Sequence, residues 1–435
     1  MEGLYHDHLQ RLCARADAVL AAAGYDGLVI ASGSLQSPYL DDNAWPFRPN
    51  PRFQVWVPAP APDCFVVYRP GQRPGLVFHQ PEDYWYQPPP LPQGEYAAAF
   101  EPCIVRNPVE LQHRPELRRG RWAVLGEPCA ATAGLGDHDP APVCLPLDYA
   151  RAVKSGYELA CMAQASLAGA RAHRAAAAAF LDGAGEYAVH QAYCAAIRVR
   201  EAELPYNNIV AFGAHAAVLH YQQLERQRPP DVRSFLLDAG ARYAGYCCDI
   251  TRTHAAHEDR FAALVRALDA AQQRLAGQVR PGTDYRDIHL AAHREIAGVL
   301  IEAGLVHGST DEAVATGLTG VFFPHGIGHL LGVQVHDTGG LMAGPDGGVR
   351  PRPDGHPTLR LTRMLEAGMA VTIEPGVYFI ESLLAAAAAD QRRQRINWPL
   401  VAELRSCGGI RIEDNVVPQD GAPRNLTRAA FAAAA

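Results

Sequence analysis

The chain has 435 residues, 48% of them hydrophobic and 20% charged, with a formal net charge of −7. That length exceeds what one core usually supports and predicts two domains, in a composition typical of globular proteins that live in water. The acidic balance and the absence of a basic tract exclude nucleic acid as the main partner, and no apolar run approaches the roughly 20 residues of a membrane-spanning helix.

The segment from Met1 to Asp7 has no positive stretch ahead of an apolar core, so no signal peptide is expected. Ten cysteines without CxxC pairs predict reduced thiols and a cytoplasmic location. Residues 4–23 carry apolar positions at helical spacing and stop at Gly24. Gly27–Ser32 reads as a buried strand, followed by strands over Phe53–Val57, Cys64–Tyr68, Gly75–His79 and Trp122–Gly126. Pro-rich connectors such as Pro88-Pro89-Pro90 separate them. This pattern predicts an α/β domain over residues 1–155, with Lys154-Ser155-Gly156 as the hinge.

The character then changes. Residues 157–182, 185–200, 258–279 and 284–304 read as helices, the last two parted by Pro281-Gly282. Strands are expected over Ile209–Phe212, Ser234–Ala239, Gly245–Thr253, Met369–Ile373 and Gly409–Val417. Residues 156–435 therefore predict an α+β domain, with paired helices around an antiparallel sheet. The run Ala385–Ala389 reads as a variable connection.

Four segments of this second region carry chemistry. In the first, an apolar strand ends at Asp238, a turn follows over Ala241–Gly245, and Tyr246–Thr251 returns with Asp249; such a hairpin sets two carboxylates side by side. The second, Pro324-His325-Gly326-Ile327-Gly328-His329, spaces two histidines four apart, but its glycines argue against a helix. They suggest a backbone crowded against a neighbour, with His329 pointing inward. The third ends an apolar strand at Glu374, before Pro375-Gly376. The last, Gly408 to Asn415, sets Arg411 and Glu413 on one strand face. Singly, each has a plain explanation: solvated turn aspartates, exposed loop histidines, Glu413 paired with Arg411. Together, four carboxylates and an imidazole are too much negative charge to bury without cations, and two divalent ions balance it.

In order and spacing, LLDAGARYAGYCCDITRT, PHGIGHLLGVQVHD, TIEPGVYF and GGIRIEDNVV resemble the segments of the pita-bread metallopeptidases, the family of methionine aminopeptidases, aminopeptidase P and prolidases. Tyr39–Asp42, Pro46–Pro58, Pro205–Val210 and Leu219–Tyr221 are similar to bacterial Xaa-Pro dipeptidases (prolidases) and the related organophosphorus acid anhydrolases. The resemblance covers nearly the whole chain. It implies a creatinase-like N-terminal domain and a pita-bread C-terminal domain that hydrolyses dipeptides ending in proline.

Carried over by position, the resemblance implies that Asp249 and Glu413 bridge two metal ions, Asp238 completes one site, and His329 with Glu374 the other. Oxygen-rich ligands suit Mn²⁺, with Co²⁺ or Zn²⁺ as alternatives. A hydroxide between the ions would attack the scissile carbonyl, with Glu374 as proton shuttle and His336 and His220 stabilising the intermediate. Arg360 matches the arginine that binds the substrate carboxylate, and Arg363 is the alternative. Tyr206 lines the same pocket, and Arg411 anchors Glu413 or contacts substrate. Cys247, on the strand face of Asp249, is expected as a buried filler, with Cys248 facing away. His254 stands where an aromatic is commoner. The resemblance also implies a homodimer in which the Asp41–Pro58 region reaches the partner's active site. Alternatives are an aminopeptidase P-like enzyme, an organophosphorus side activity of the same hydroxide, and a peptide-binding module; the five intact ligands weigh against the last and against metal-free creatinase.

Overall fold

The structure is a computed structural model that describes residues 3–434; Met1 and Glu2, at the head of the segment read for a signal peptide, and Ala435 lie outside the described residues. The chain divides into two compact units. One runs to Ala160 and takes in Met342–Gly348; the other comprises Cys161–Leu341 and the residues from Val349 onward.

The first unit opens with the helix Leu4–Ala23, which buries Leu9, Leu12, Ala16 and Leu20 along one face. Gly24 ends it in the left-handed region at φ 71°, its N–H returning to the Leu20 carbonyl. Six strands follow: β1 (Gly27–Ala31), β2 (Phe65–Tyr68), β3 (Gly75–His79), β4 (Glu101–Val105), β5 (Trp122–Leu125) and β6 (Asp137–His138). They form one mixed sheet in the order β4-β3-β2-β1-β5-β6. Strand β1 is antiparallel to β2 and parallel to β5, and every residue of it is buried. A continuous apolar run is what a strand covered on both faces requires.

One expected strand of this unit is a helix. Pro51–Trp56 coils because the Asn50 side chain accepts the Arg52 N–H while Pro51 occupies the first turn. The apolar residues Phe53, Val55 and Trp56 are buried nonetheless, on a helix and not on a pleat.

The long helices that follow are Gly156–Leu181, which enters the second unit at Cys161, and Glu186–Ile197, Arg260–Ala276 and Tyr285–Glu302 within it. Its strands begin with β7 (Ile209–Phe212), β8 (Ser234–Asp238), β9 (Arg242–Tyr243), β10 (Tyr246–Cys247) and β11 (Thr251–Ala255). Strands β11-β8-β7 form an antiparallel sheet. Phe180 from the first of these helices stacks on Phe235 of β8 at 4.9 Å, and Phe212 meets both rings edge-on. Burying each such ring stabilises the fold by about 2–3 kcal/mol.

The expected strand Gly245–Thr253 is divided between β10 and β11. Ala244 and Gly245, both at positive φ, close the tight turn from β9 into β10, and residues 248–250 then cross to a new partner. Gly409–Val417 divides likewise: Gly409–Arg411 pairs with Gly376–Tyr378, and Asp414–Val417 with Val371–Ile373. The break between them holds Glu413, bridged to Thr251. The alanine run expected as a connection ends the helix Glu381–Ala388, which buries Leu384 and Ala387, with Ala389 as its C-terminal cap. Alanine loses no side-chain freedom in a helix. Among the described residues no helix is long and apolar enough to cross a membrane.

Candidate metal centre

Each acidic residue of interest sits where a strand ends or changes partner. Asp238 is the last residue of β8, opposite Thr251 in register. Asp249 lies in the crossing between β10 and β11, pinned by its N–H to Asn415 Oδ1 at 3.0 Å and by its carbonyl, which accepts from Asn415 Nδ2 at 2.5 Å. Glu374 follows Val371–Ile373, and Glu413 occupies the break between two strands. Carboxylates at strand ends escape the ladder and are free to converge.

His329 comes from a loop that only glycine permits. A Cβ on Gly328, at φ 151°, would lie 2.4 Å from both the Thr372 carbonyl and the Tyr285 hydroxyl; one on Gly326 would lie 2.9 Å from the Leu359 Cα. This close packing lets the His329 N–H reach Thr372 Oγ1 at 3.1 Å. Its Nδ1–H donates to the Leu330 carbonyl at 2.9 Å, which leaves the Nε2 lone pair facing inward.

The inward face is crowded with oxygen. His329 Nε2 lies 3.4 Å from Asp249 Oδ2 and 3.7 Å from Glu374 Oε1. Asp249, His329 and Glu413 each offer a ligand atom within 4.8 Å of the other two, and all three are buried. A lone pair turned toward carboxylates is repulsive unless a proton or a cation lies between them. Without a cation, protons fill that role. Burial first, with Asp249 and Asp238 adding to it against His329 and Arg411, pushes the Glu374 carboxyl up to about 7. Burial and the surrounding carboxylates push Glu413 well up, and burial raises Asp238 against the pull of Arg411. Burial opposes ionisation of Asp249 too, but His329 outweighs it and the net shift is downward. Four carboxylates and one imidazole of this kind fit oxygen-preferring divalent ions.

Around this cluster Arg411 Nη2 donates to Asp238 Oδ2 at 2.6 Å, Nη1 to the Tyr378 hydroxyl at 2.9 Å, and Nε to Thr251 Oγ1 at 3.3 Å. The expected anchoring of Glu413 by Arg411 is replaced by Thr251, whose hydroxyl donates to Glu413 Oε2 at 2.8 Å. Tyr206 lies 2.8 Å from Asp238 Oδ1 and 2.5 Å from Asp249 Oδ1, so its one proton is shared between the two carboxylates. His336 meets the His329 ring edge-on at 4.3 Å; burial first, then His329 and Arg360, lowers its imidazole to about 4. The exposed His220 is close enough to act electrostatically on His336 and on His325. Arg360 is exposed, whereas Arg363 is buried and pairs with Glu366 at 2.7 Å.

Cys247 is fully buried, its thiol 3.6 Å from the Val333 carbonyl, and Cys248 donates to the Ala165 carbonyl at 3.2 Å. Both are packing residues. His254 stacks on Phe235 at 5.6 Å, doing with an imidazole what an aromatic does there.

Two residues that sequence reasoning left without a role belong to the site's surroundings. His325 donates or accepts through Nε2 to the Tyr378 hydroxyl at 2.9 Å and lies 3.9 Å from Glu374 Oε2. The four-residue histidine spacing pointed to it. Tyr378, which also receives Arg411, left no sequence signal beyond its place after Glu374.

Comparison with known proteins agrees with this geometry. Residues 160–420 match "Metallopeptidase family M24", and residues 3–149 match "Xaa-Pro dipeptidase, N-terminal domain". A protein of Stenotrophomonas maltophilia named Xaa-Pro dipeptidase is 49% identical over 433 residues, spanning 99% of this chain and 98% of its own. One of the same name from Xanthomonas campestris is 49% identical over 432 residues, with the same coverage. Among solved structures, Escherichia coli aminopeptidase P in its low-pH form has a TM-score of 0.72 at 24% identity, over 98% of each chain. Pseudomonas aeruginosa aminopeptidase PepP has a TM-score of 0.69 at 22% identity, also over 98% of each. At those identities the structural likeness bears on the fold alone: an α/β N-terminal domain followed by an α+β pita-bread domain. By the match over residues 160–420 and by relatives of nearly equal length, the chain belongs to metallopeptidase family M24.

Proposed function

We propose that this chain is an Xaa-Pro dipeptidase that releases proline from dipeptides, with residues 156–435 as its catalytic domain. The observation that carries the reading is the 49% identity, over 433 residues, to a protein of that name. The buried acidic cluster supplies the chemistry it needs.

Asp238, Asp249, His329, Glu374 and Glu413 would hold two divalent ions, and the oxygen-rich donor set favours Mn²⁺. When bound, such ions supply a Lewis acid for the scissile carbonyl and a water that ionises near neutral pH. The chain's own groups do the rest. The prolyl nitrogen of the substrate is a tertiary amide without N–H, and like any amide nitrogen it must gain a proton to leave. Glu374, whose carboxyl stands near 7 before ions bind, would take a proton from the attacking water and pass it to the prolyl nitrogen. His336, kept neutral by burial, presents an N–H to the carbonyl oxygen as charge develops there, with His220 beside it.

A free dipeptide ends in a carboxylate close to the bond that breaks. The exposed guanidinium of Arg360 is free to clamp it, whereas Arg363 is already committed to Glu366. Tyr206 and Arg411 hold Asp238 and Asp249 in position and border the substrate pocket. The proposal includes a homodimer in the cytoplasm, and light scattering on the purified protein checks the assembly. The test of the activity itself is a comparison of Leu-Pro with a pentapeptide that begins Leu-Pro. Faster cleavage of the dipeptide supports the reading, and equal rates would replace it with an aminopeptidase.

A further inference from the structure

A second group of ring nitrogens lies outside the acidic cluster and shares no residue with it. His289 and His293 stand four apart on the helix Tyr285–Glu302 and so project from one face. His356, from a loop, completes the group: each of the three offers a nitrogen within 4.8 Å of the other two. The ring centroids form a nearly equilateral triangle, 4.9, 4.6 and 4.6 Å on its sides. Two of the three pairs meet almost perpendicularly, at 86° and 89°, each with the edge of one ring on the face of the other.

Hydrogen bonding within the chain leaves this group unfinished. His289 Nε2 lies 2.9 Å from His356 Nδ1, and His293 Nδ1 lies 2.9 Å from the Thr319 hydroxyl. His289 Nδ1 and His293 Nε2 are buried without any partner, in side chains that are 1% and 5% exposed. Buried polar atoms are rarely left so; since His289 turns Nε2 toward His356, it is His293 Nε2 that an ion shared by the three rings would satisfy. With Thr319 accepting from His293 Nδ1–H, the orphaned Nε2 is a lone pair, the form that binds a metal, held by an outer hydroxyl.

We propose that His289, His293 and His356 form a third metal site, selective for a borderline ion such as Zn²⁺ over the oxygen-preferring ions of the acidic cluster. Three imidazoles without a carboxylate are the donor set that Zn²⁺, Co²⁺ and Ni²⁺ favour and Mn²⁺ and Mg²⁺ do not. Tetrahedral Zn²⁺ with Zn–N near 2.0–2.1 Å sets its nitrogens about 3.4 Å apart. The His289–His356 pair is about 0.5 Å short of that edge, a gap that small ring rotations close. Burial and mutual repulsion favour the neutral form that a ligand needs, lowering His289 to about 2 and His293 to about 4, and burial lowers His356. His356 is half-exposed, which gives an ion a way in and leaves a fourth position for water. A bound ion fastens the loop of His356, four residues before Arg360, onto the helix.

The test is an ion count on the full-length protein saturated with Co²⁺ and freed of excess, in the wild type and in His356→Ala. The variant is expected to hold one ion fewer per chain and to lose the visible absorption of four-coordinate Co²⁺. His356→Cys, which keeps a ligand, is expected to regain both. The position is half-exposed and off any helix or strand, and His356→Gln carries the same comparison if the alanine variant does not fold. Equal ion counts in wild type and His356→Ala, at any total, would overturn the proposal. A failure of dipeptide cleavage bears on the acidic cluster and leaves this count unaffected.

Discussion

Arg411 and Asp238, 173 residues apart in sequence, meet in a largely buried ion pair at 2.6 Å. Asp238 ends β8 and Arg411 ends the strand Gly409–Arg411, so the pair ties two separate small sheets together at the point where the acidic cluster forms. Removing one partner of such a pair leaves a buried charge unpaired, at a cost of about 3–5 kcal/mol. Arg411→Ala is therefore expected to lower the stability of the metal-free protein by about 3 kcal/mol. Denaturant unfolding measures this, and a loss below about 1 kcal/mol would show that Tyr206 alone suffices for Asp238.

Gly328 stands at φ 151° with no room for a methyl group between Thr372 and Tyr285. Gly328→Ala is expected to cost about 3 kcal/mol, through backbone strain and overpacking combined. It also displaces His329, so metal binding is expected to weaken with it. A variant with wild-type stability and ion content would contradict the crowded-loop account.

Protons and metal ions compete for the acidic cluster. Glu374 stands near 7 instead of its ordinary 4.5, and Glu413 is pushed well up, both first by burial. Below about 7 the metal-free site therefore holds protons that an ion must displace. The sign follows: apparent Mn²⁺ affinity falls as pH drops below 7, by about tenfold per pH unit for each proton released. Titration calorimetry between pH 5.5 and 8, taken in buffers of different ionisation heat, measures both affinity and proton release (roughly one or more per site). Affinity independent of pH over that range would mean that the carboxylates are ionised before the ions arrive.

Arg360 is proposed to clamp the substrate carboxylate, an interaction made in ground and transition states alike. Its loss is expected to raise KM more than it lowers kcat, reducing kcat/KM by about 10–100-fold for a charge-assisted pair. Leu-Pro amide, which lacks the carboxylate, is expected to be cleaved equally by wild type and Arg360→Ala. A loss of the same size on the amide would assign Arg360 a different role.

What the sequence revealed and what it hid divide along physical lines. Elements whose apolar pattern has one period were legible: the helix Leu4–Ala23, the buried strand at Gly27, and the glycine crowding ahead of His329. Phe53–Val57 misled because its apolar residues are buried in a helix one and a half turns long, too short to show a period; Asn50-Pro51 was the readable signal. The Gly245–Thr253 and Gly409–Val417 stretches looked continuous because side-chain pattern does not record a change of partner strand. Charged residues at strand ends marked the acidic cluster, since burial of such groups demands a counter-charge. The Tyr378 links to His325 and Arg411 join residues 53 and 33 positions apart, and no local spacing announces them.

A metal-dependent, proline-specific dipeptidase is tested by proline release from Leu-Pro, measured on EDTA-stripped protein before and after Mn²⁺ is added. The expected result is no release from the stripped protein, restored release with Mn²⁺, and Leu-Leu left intact throughout. Release that survives stripping, equal cleavage of Leu-Leu, or no release with any divalent ion would contradict it.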